Sequence, residues 1–219
     1  YTVDTLLPTA TITMSDVALV AGDTATVTIT FSEAVTNFSN ADLTIQNGAL
    51  SAVSSADGGI TWTGTFTPTG NISDATNLIT LATTYNDVAG NIGTVATGPN
   101  YTIETSNPSV ASITLSDTAL IAGETSLVTI TFSEAVNNFT NADITVQNGT
   151  LTAVSSADGG ITWTGTFTPT VNTTDATNLV TVANTYTDLA GNAGTALTSG
   201  NYTVDTLLPT ATITMSDVA

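Results

Sequence analysis

Eighteen carboxylates and no lysine, arginine or histidine confine the chemistry open to this 219-residue chain. A carboxylate can move a proton or hold a cation. The common nucleophiles and bases are missing, because there is no Cys, His or Lys. A glycosidase-type pair of acids is the remaining catalytic option. The acids fall in loop-like stretches, recur along the chain and outline no cleft, so no enzyme is expected. No internal salt bridge can form either. Carboxylates brought together here therefore need water, hydrogen-bond donors or a metal ion.

The acids keep their places through an internal repeat. Asp4, Glu104 and Asp205 correspond, as do Asp16, Asp117 and Asp217. Asp23 faces Glu124, Glu33 faces Glu134, and Asp42 faces Asp143. Asp57 faces Asp158, Asp74 faces Asp175, and Asp87 faces Asp188. Neutral neighbours drift, as with Gly70 against Val171 and Ala49 against Thr150.

The repeat is punctuated by an octapeptide, Tyr-Thr-[Val/Ile]-[Asp/Glu]-Thr-x-x-Pro, at residues 1–8, 101–108 and 202–209. Its front half reads as the end of a strand, and its Pro enforces an extended joint. Residues 202–219 repeat residues 1–18 letter for letter. The expected organisation is the last strand of a preceding repeat over 1–5, one repeat over 6–105, a second over 106–206, and the first strand of a following repeat over 207–219. On this reading the sequence is a window on a longer array, and each repeat is long enough to bury its own core.

Within a repeat the periodicity is that of strands. Thr9–Met14 alternates. In Thr24–Phe31, Val27, Ile29 and Phe31 share one face while Thr26, Thr28 and Thr30 share the other. Leu43 and Ile45 mark a short strand, and Asn47-Gly48 a turn. Residues 50–53 and 60–66 read as a hairpin, with Ile60, Trp62 and Phe66 inward and Gly64 leaving room for a large neighbour. Leu78–Thr83 and Asn100–Glu104 complete the set. Residues 15–23 and 85–91 read as loops. No stretch has a helical period. The fold class is all-β: tandem immunoglobulin-like β-sandwich domains arranged end to end.

That topology gathers acids. The second strand's exit loop, with Glu33, and the loop with Asp87 both lie at the end where the joint enters. Asp4, Glu33 and Asp87 therefore converge, and the repeat brings Glu104, Glu134 and Asp188 into the same relation; Asp205 opens a third set. Two readings stay open. They are solvated loop acids, or they are hard oxygen ligands, a set that suits Ca²⁺ better than Mg²⁺ because Ca²⁺ takes six to eight oxygens flexibly. Asp16, Asp23 and Asp74 belong to the opposite end, as turn acids or ligands. Asp57 and Asp42 read as turn or strand-entry residues.

Composition limits partners. A chain with no cations does not bind nucleic acid, and anionic membrane surfaces repel it. No apolar run reaches the roughly 18–20 residues that span a bilayer, so no direct membrane insertion is expected, and no signal peptide is visible. There is no Cys, so no disulfide. Thr accounts for 51 residues, which suits the solvent faces of strands.

The joint Val3-Asp4-Thr5-Leu6-Leu7-Pro8, Phe31-Ser-Glu-Ala-Val35, Asp57-Gly-Gly-Ile-Thr-Trp62 and Asp188-Leu-Ala-Gly-Asn192 occur in order at fixed spacing. In them the chain resembles the bacterial Ig-like repeats of giant secreted RTX-type adhesins. The resemblance implies an extracellular stalk on the bacterial cell surface, exported by type I secretion and stiffened by Ca²⁺ between domains. It carries the metal ligands onto Asp4, Glu33 and Asp87, and onto Glu104, Glu134 and Asp188. Glu104 departs from the Asp found at the other joints.

The expected function is a non-enzymatic spacer whose partners are the neighbouring repeats of the same chain. The alternative is a fibre, biofilm-matrix or surface-layer component in which copies associate laterally. A sugar- or cell-binding module is a third reading, disfavoured because Trp62, Trp163 and most Phe residues fall on core-facing positions. Asn-x-Ser/Thr triplets recur, among them those that begin at Asn37, Asn71, Asn100, Asn138, Asn172 and Asn201; in so Thr-rich a chain such triplets arise readily by chance.

Overall fold

The computed structural model describes residues 3–216. The chain divides into two compact units: residues through Ser106 with Ala190–Asn192, and Asn107–Leu189 with the chain from Ala193 onward. Unit 1 contains β1 (Ala10–Met14), β2 (Ala18–Val20), β3 (Ala25–Phe31), β4 (Val35–Thr36), β5 (Leu43–Ile45), β6 (Gly48–Leu50) and β7 (Ser54–Ser55). It continues with β8 (Thr61–Pro68), β9 (Ser73–Asn77), β10 (Ile79–Leu81), β11 (Asn86–Asp87), β12 (Ala96–Thr97) and β13 (Tyr101–Glu104). One sheet runs β1-β3-β8-β6, with β7 on β8. Two three-stranded ladders, β12-β10-β5 and β2-β13-β9, and the pair β11-β4 make up the rest.

The alternation in β3 is what builds the first sheet. Val27, Ile29 and Phe31 are buried while Thr26 and Thr30 face solvent. Antiparallel register sets Ile29 beside Ile12 on one side and Trp62 on the other. A one-residue slip would turn the whole apolar row outward, so burial locks this register. The core gathers these residues with Leu19, Phe66, Leu81, Tyr85, Tyr101 and Ile103 into one cluster. Phe31 meets Tyr85 at 4.9 Å and Phe38 at 5.1 Å between ring centroids. Gly93 lies flat against Tyr85: a Cβ there would fall 2.1 Å from the ring's Cζ.

Unit 2 repeats the plan. Val110–Leu115, Ser126–Phe132 and Thr162–Pro169 build the first sheet, and Tyr202–Asp205 takes the place of β13. Its core is again one cluster, around Ile130, Phe132, Phe167, Tyr186 and Tyr202. The helices among the described residues are two three-residue 3₁₀ turns, at Asn40–Asp42 and Asn141–Asp143, and none is long and apolar enough to cross a membrane.

Several sequence expectations need correction. Ile60 is exposed rather than inward, and so is Ile161. The strand begins only at Thr61, after Gly58 and Gly59 at φ 82° and 98°, so the period that places Trp62 and Phe66 does not reach back to residue 60. Trp62 itself is half-buried, packed against the core. The stretch 15–23 is not all loop: β2 pairs parallel with β13, Leu19 opposite Ile103. β9 went unseen because Ser-Asp-Ala-Thr-Asn shows no apolar alternation. Tyr85, expected in a loop, is fully buried. The strand expected over 207–219 is not formed in its described part, and Val3–Thr5 is likewise irregular. A strand needs a neighbour to take its backbone hydrogen bonds. Tyr1, Thr2 and Asp217 lie outside the described residues.

Candidate metal centre

Unit 1 brings Asp4, Glu33 and Asp87 together: one carboxylate oxygen of each lies within 4.8 Å of the others. Three elements place them. Glu33 sits in the tight turn between β3 and β4. Asp87 ends β11, opposite Val35 in the β4 register. Asp4 rides on the extended segment leading into β1.

That segment is fastened along its length. Pro8 presents its carbonyl to the Tyr85 hydroxyl at 3.3 Å, the Thr94 hydroxyl at 3.2 Å and the Thr94 N–H at 3.1 Å. Thr9 and Ser32 bond each other twice, Thr9 N–H to Ser32 Oγ at 3.0 Å and Ser32 N–H to Thr9 O at 2.9 Å. Nearer the acid, Asn91 Nδ2 donates to the Asp4 carbonyl at 3.3 Å. The Leu6 N–H donates to Asp4 Oδ1 at 3.1 Å, an Asx turn that holds the carboxylate against the chain ahead of it.

Asn91 also governs Asp87. Its side chain donates to Oδ2 at 2.7 Å and its N–H to Oδ1 at 2.8 Å. The reversal this needs passes through Gly90 at φ 95°. Asp87 is buried, which by itself pushes its carboxyl up. The Asn91 side-chain and backbone bonds, with the N–H groups of Gly90 and Ala89, outweigh burial and leave it below the ordinary carboxylate value.

Glu33 is held the other way. Burial, then the charges of Asp4 and Asp87, push its carboxyl up. Its Oε1 is buried without a hydrogen-bond partner. The Asp57-Gly58-Gly59 turn supports this loop from behind. Val35 N–H bonds Gly59 O at 3.1 Å, and Trp62 Nε1 donates to the same carbonyl at 3.1 Å. A Cβ on Gly59 would fall 2.8 Å from Val35 O, so a glycine is needed here.

The donor set is one that a hard divalent cation fits: three carboxylates, no protein cation to neutralise them, and a buried oxygen left without a donor. Ca²⁺ is the better match, since carbonyls and water can complete six to eight ligands around three carboxylates, whereas Mg²⁺ requires near-ideal octahedral geometry.

The second triple is divided between the units. Glu104 belongs to unit 1, at the end of β13, where its carboxylate accepts from the Ser73 hydroxyl and from Ser106 N–H. Glu134 and Asp188 belong to unit 2. There they hold the positions of Glu33 and Asp87, with Asp188 buried opposite Val136. Asp205 ends the last strand of unit 2 and accepts from the Thr174 hydroxyl at 3.0 Å and Leu207 N–H at 3.4 Å.

The other acids serve as local acceptors. Asp16 takes Ala18 N–H at 2.9 Å, Asp23 takes Val20 N–H at 3.0 Å, and Asp74 takes Thr76 N–H and the Asn47 amide. Together Asp16 and Asp23 bracket β2. Asp42 closes a capping box with Ser39. Asp57 accepts from Thr61 N–H, the Ser55 hydroxyl and Ile60 N–H, which hold its carboxyl at about 2. Sequence reasoning places Asn91 at this end with Asp87, but misses that its amide orients the Asp87 carboxylate, and misses the Gly59 buttress. The signals were there, an Asp-x-x-Gly-Asn loop and a double glycine before a strand.

The bacterial Ig-like domain family model matches residues 4–103 and again residues 104–204. No curated protein matches the chain.

Proposed function

The chain belongs to the bacterial Ig-like domain family, in two tandem copies, and from that premise we propose that it is a non-enzymatic spacer in the extracellular stalk of a repetitive bacterial adhesin. Domains of this family are commonly structural and surface-exposed, which supports the reading. The finer proposal is that each joint is a Ca²⁺ site. One observation carries it: the clustering of Asp4, Glu33 and Asp87 around the buried, unpartnered Glu33 Oε1.

Asp4, Glu33 and Asp87 would hold the ion, which would supply the positive charge that the site lacks and a partner for Glu33 Oε1. The chain does the rest. Asp4 belongs to the segment that enters the domain, while Glu33 and Asp87 belong to the domain's own loops. A link between them fixes the direction in which the chain enters. Asn91 prepares the site by orienting Asp87 and holding the Asp4 carbonyl. By correspondence in the repeat, Glu104, Glu134 and Asp188 hold the positions of Asp4, Glu33 and Asp87, and Asp205 holds that of Asp4 once more. Type I secretion, as the route to the surface, goes with this reading.

The test is calorimetric titration of the chelator-treated chain with Ca²⁺. Saturable binding is expected, weakened in Glu33→Gln. Heats indistinguishable from dilution would remove the calcium reading and leave the acids as solvated surface.

The fibre alternative keeps one supporting observation. The outer face of β1, β3 and β8 bears Thr11, Thr13, Thr26, Thr30, Thr63 and Thr65 and no acid. In so anionic a chain, copies could approach through such a face with less like-charge repulsion than elsewhere, although Asp57 lies at its edge beside Thr61 and Thr63. Concentration-dependent sedimentation would favour it over the lone stalk.

A further inference from the structure

We propose that Asn37, Asn71, Asn138 and Asn172 are acceptor sites for N-linked glycosylation in the folded domains, and that Asn100 and Asn201 are not. All six begin an Asn-x-Ser/Thr triplet with no proline in the middle; a seventh triplet begins at Asn148, whose amide is held by Asp175 and Asn178 and which is therefore not an acceptor either. Only the fold separates them.

The four proposed acceptors share three features. Each residue is exposed, as Asn100 and Asn201 also are, so the other two features make the distinction. Each sits at the tip of a turn with left-handed backbone, φ 59°, 61°, 57° and 55° in chain order. And the amide of each makes no hydrogen bond among the described residues. The idle amides stand out, because this fold uses asparagine amides heavily. Asn40 Nδ2 bonds the Leu50 and Ser51 carbonyls at 3.1 and 3.0 Å. Asn47 bonds Asp74 and Asn77, and Asn77 bonds the Tyr101 carbonyl. The third pair of triplets belongs to this working group. Asn100 Nδ2 donates to Ala75 O at 3.0 Å while its Oδ1 accepts Asn77 N–H at 3.1 Å, and Asn201 repeats both bonds with Ala176 and Asn178. An amide held at both ends is not free to meet an enzyme.

A left-handed turn does not by itself call for these asparagines. Glycine adopts that backbone at no steric cost, so an amide with no internal partner is spare. The comparison between units strengthens this. Asn37-Phe-Ser39 becomes Asn138-Phe-Thr140, and Asn71-Ile-Ser73 becomes Asn172-Thr-Thr174. The third residue changes in both pairs, yet always to the other hydroxyl that a triplet allows. Phe38 and Phe139 are buried, so they pin their triplets to the core while the asparagine beside them projects outward.

The chemistry is transfer from a nucleotide-activated hexose, catalysed by a glycosyltransferase specific for Asn-x-Ser/Thr. Asn Nδ2 bonds to the sugar's anomeric carbon, and the bond from that carbon to the phosphate oxygen breaks. The nucleoside diphosphate leaves with the electron pair, and an Nδ2 proton passes to a base of the transferase.

The test incubates the folded chain with a soluble N-glycosyltransferase of that specificity and UDP-glucose, and reads intact mass and modified peptides. Additions are expected at Asn37, Asn71, Asn138 and Asn172. Asn100 and Asn201 should be modified only after the chain is unfolded. Asn37→Gly keeps the turn and should remove one hexose from the total without lowering the melting temperature. No addition to the folded chain at the four sites, or equal addition at Asn100 and Asn201 in the folded chain, would overturn the proposal.

Discussion

Glu33→Gln tests the metal centre through stability, and the expected numbers follow from the site. The Glu33 carboxyl is pushed up by burial and by Asp4 and Asp87, and its Oε1 accepts no hydrogen bond. Replacing it with an amide removes a repelled charge and breaks no internal bond at that oxygen. Without calcium, the variant should therefore melt no lower than the parent. With calcium the order reverses. A ligand that binds only the folded state adds RT ln(1 + [L]/Kd), about 2.7 kcal/mol at a hundredfold excess over Kd. For a unit of this size 1 kcal/mol moves Tm by roughly 4–8 °C, so the parent should gain about 10–20 °C and the variant most of that less. Trp62 and Trp163 are the chain's two tryptophans, one in each unit. In a Trp163→Phe background, Trp62 alone reports unit 1, and its indole donates to the Gly59 carbonyl that braces the Glu33 loop. Melting is followed by its fluorescence with chelator and with Ca²⁺. A parent Tm indifferent to chelator refutes the cation argument. A variant that melts lower than the parent in chelator refutes the like-charge argument, whatever the calcium result.

Phe66→Ala should cost about 3–5 kcal/mol as a large core truncation, because the ring is fully buried and meets Tyr101 edge-on at 5.1 Å; Phe167→Ala should match it, and urea melts of the two variants check both. Gly93→Ala should destabilise by about 1–3 kcal/mol or more through overpacking against Tyr85, and it should also loosen the Pro8 segment, read as faster amide exchange at Thr94. Acid should unfold the chain in part through Asp57 and Asp158, whose carboxyls are held at about 2 against an ordinary 3.8. A depressed folded value means that their stabilisation is complete above about pH 4 and is lost as the pH falls toward 2. Asp57→Ala should flatten that limb of a pH–stability curve, and an unchanged limb would refute the assignment.

Some of this was legible in the chain because it is local. The residue-by-residue Thr/apolar alternation of 24–31 permits one register once a face is buried, and β3 obeys it. The repeat needs no structure at all: acids that return after 100 or 101 residues set the unit length and mark the second unit as a copy of the first. Asp16 and Asp57 sit two to four residues from the N–H groups they accept, so turn chemistry foretold them. The grouping of Asp4, Glu33 and Asp87 could be anticipated only by assuming a sandwich topology. Which oxygen is buried without a partner, and that Asn91 aims Asp87, depend on side chains that meet across the fold. β2 and β9 have no apolar period of their own. They are strands because β13 lies between them and supplies the backbone partners, Ile103 opposite Leu19 on one side and Asp74 on the other. Tyr85 was hidden in a polar loop, and its burial follows from Gly93 leaving room for its ring. Ile60 misled for the opposite reason: its sequence period continues that of Trp62 and Phe66, but after two glycines at positive φ the strand begins only one residue beyond it, at Thr61. Periodicity records what a residue would do inside a regular element, and only tertiary structure decides where that element stops and what lies against it.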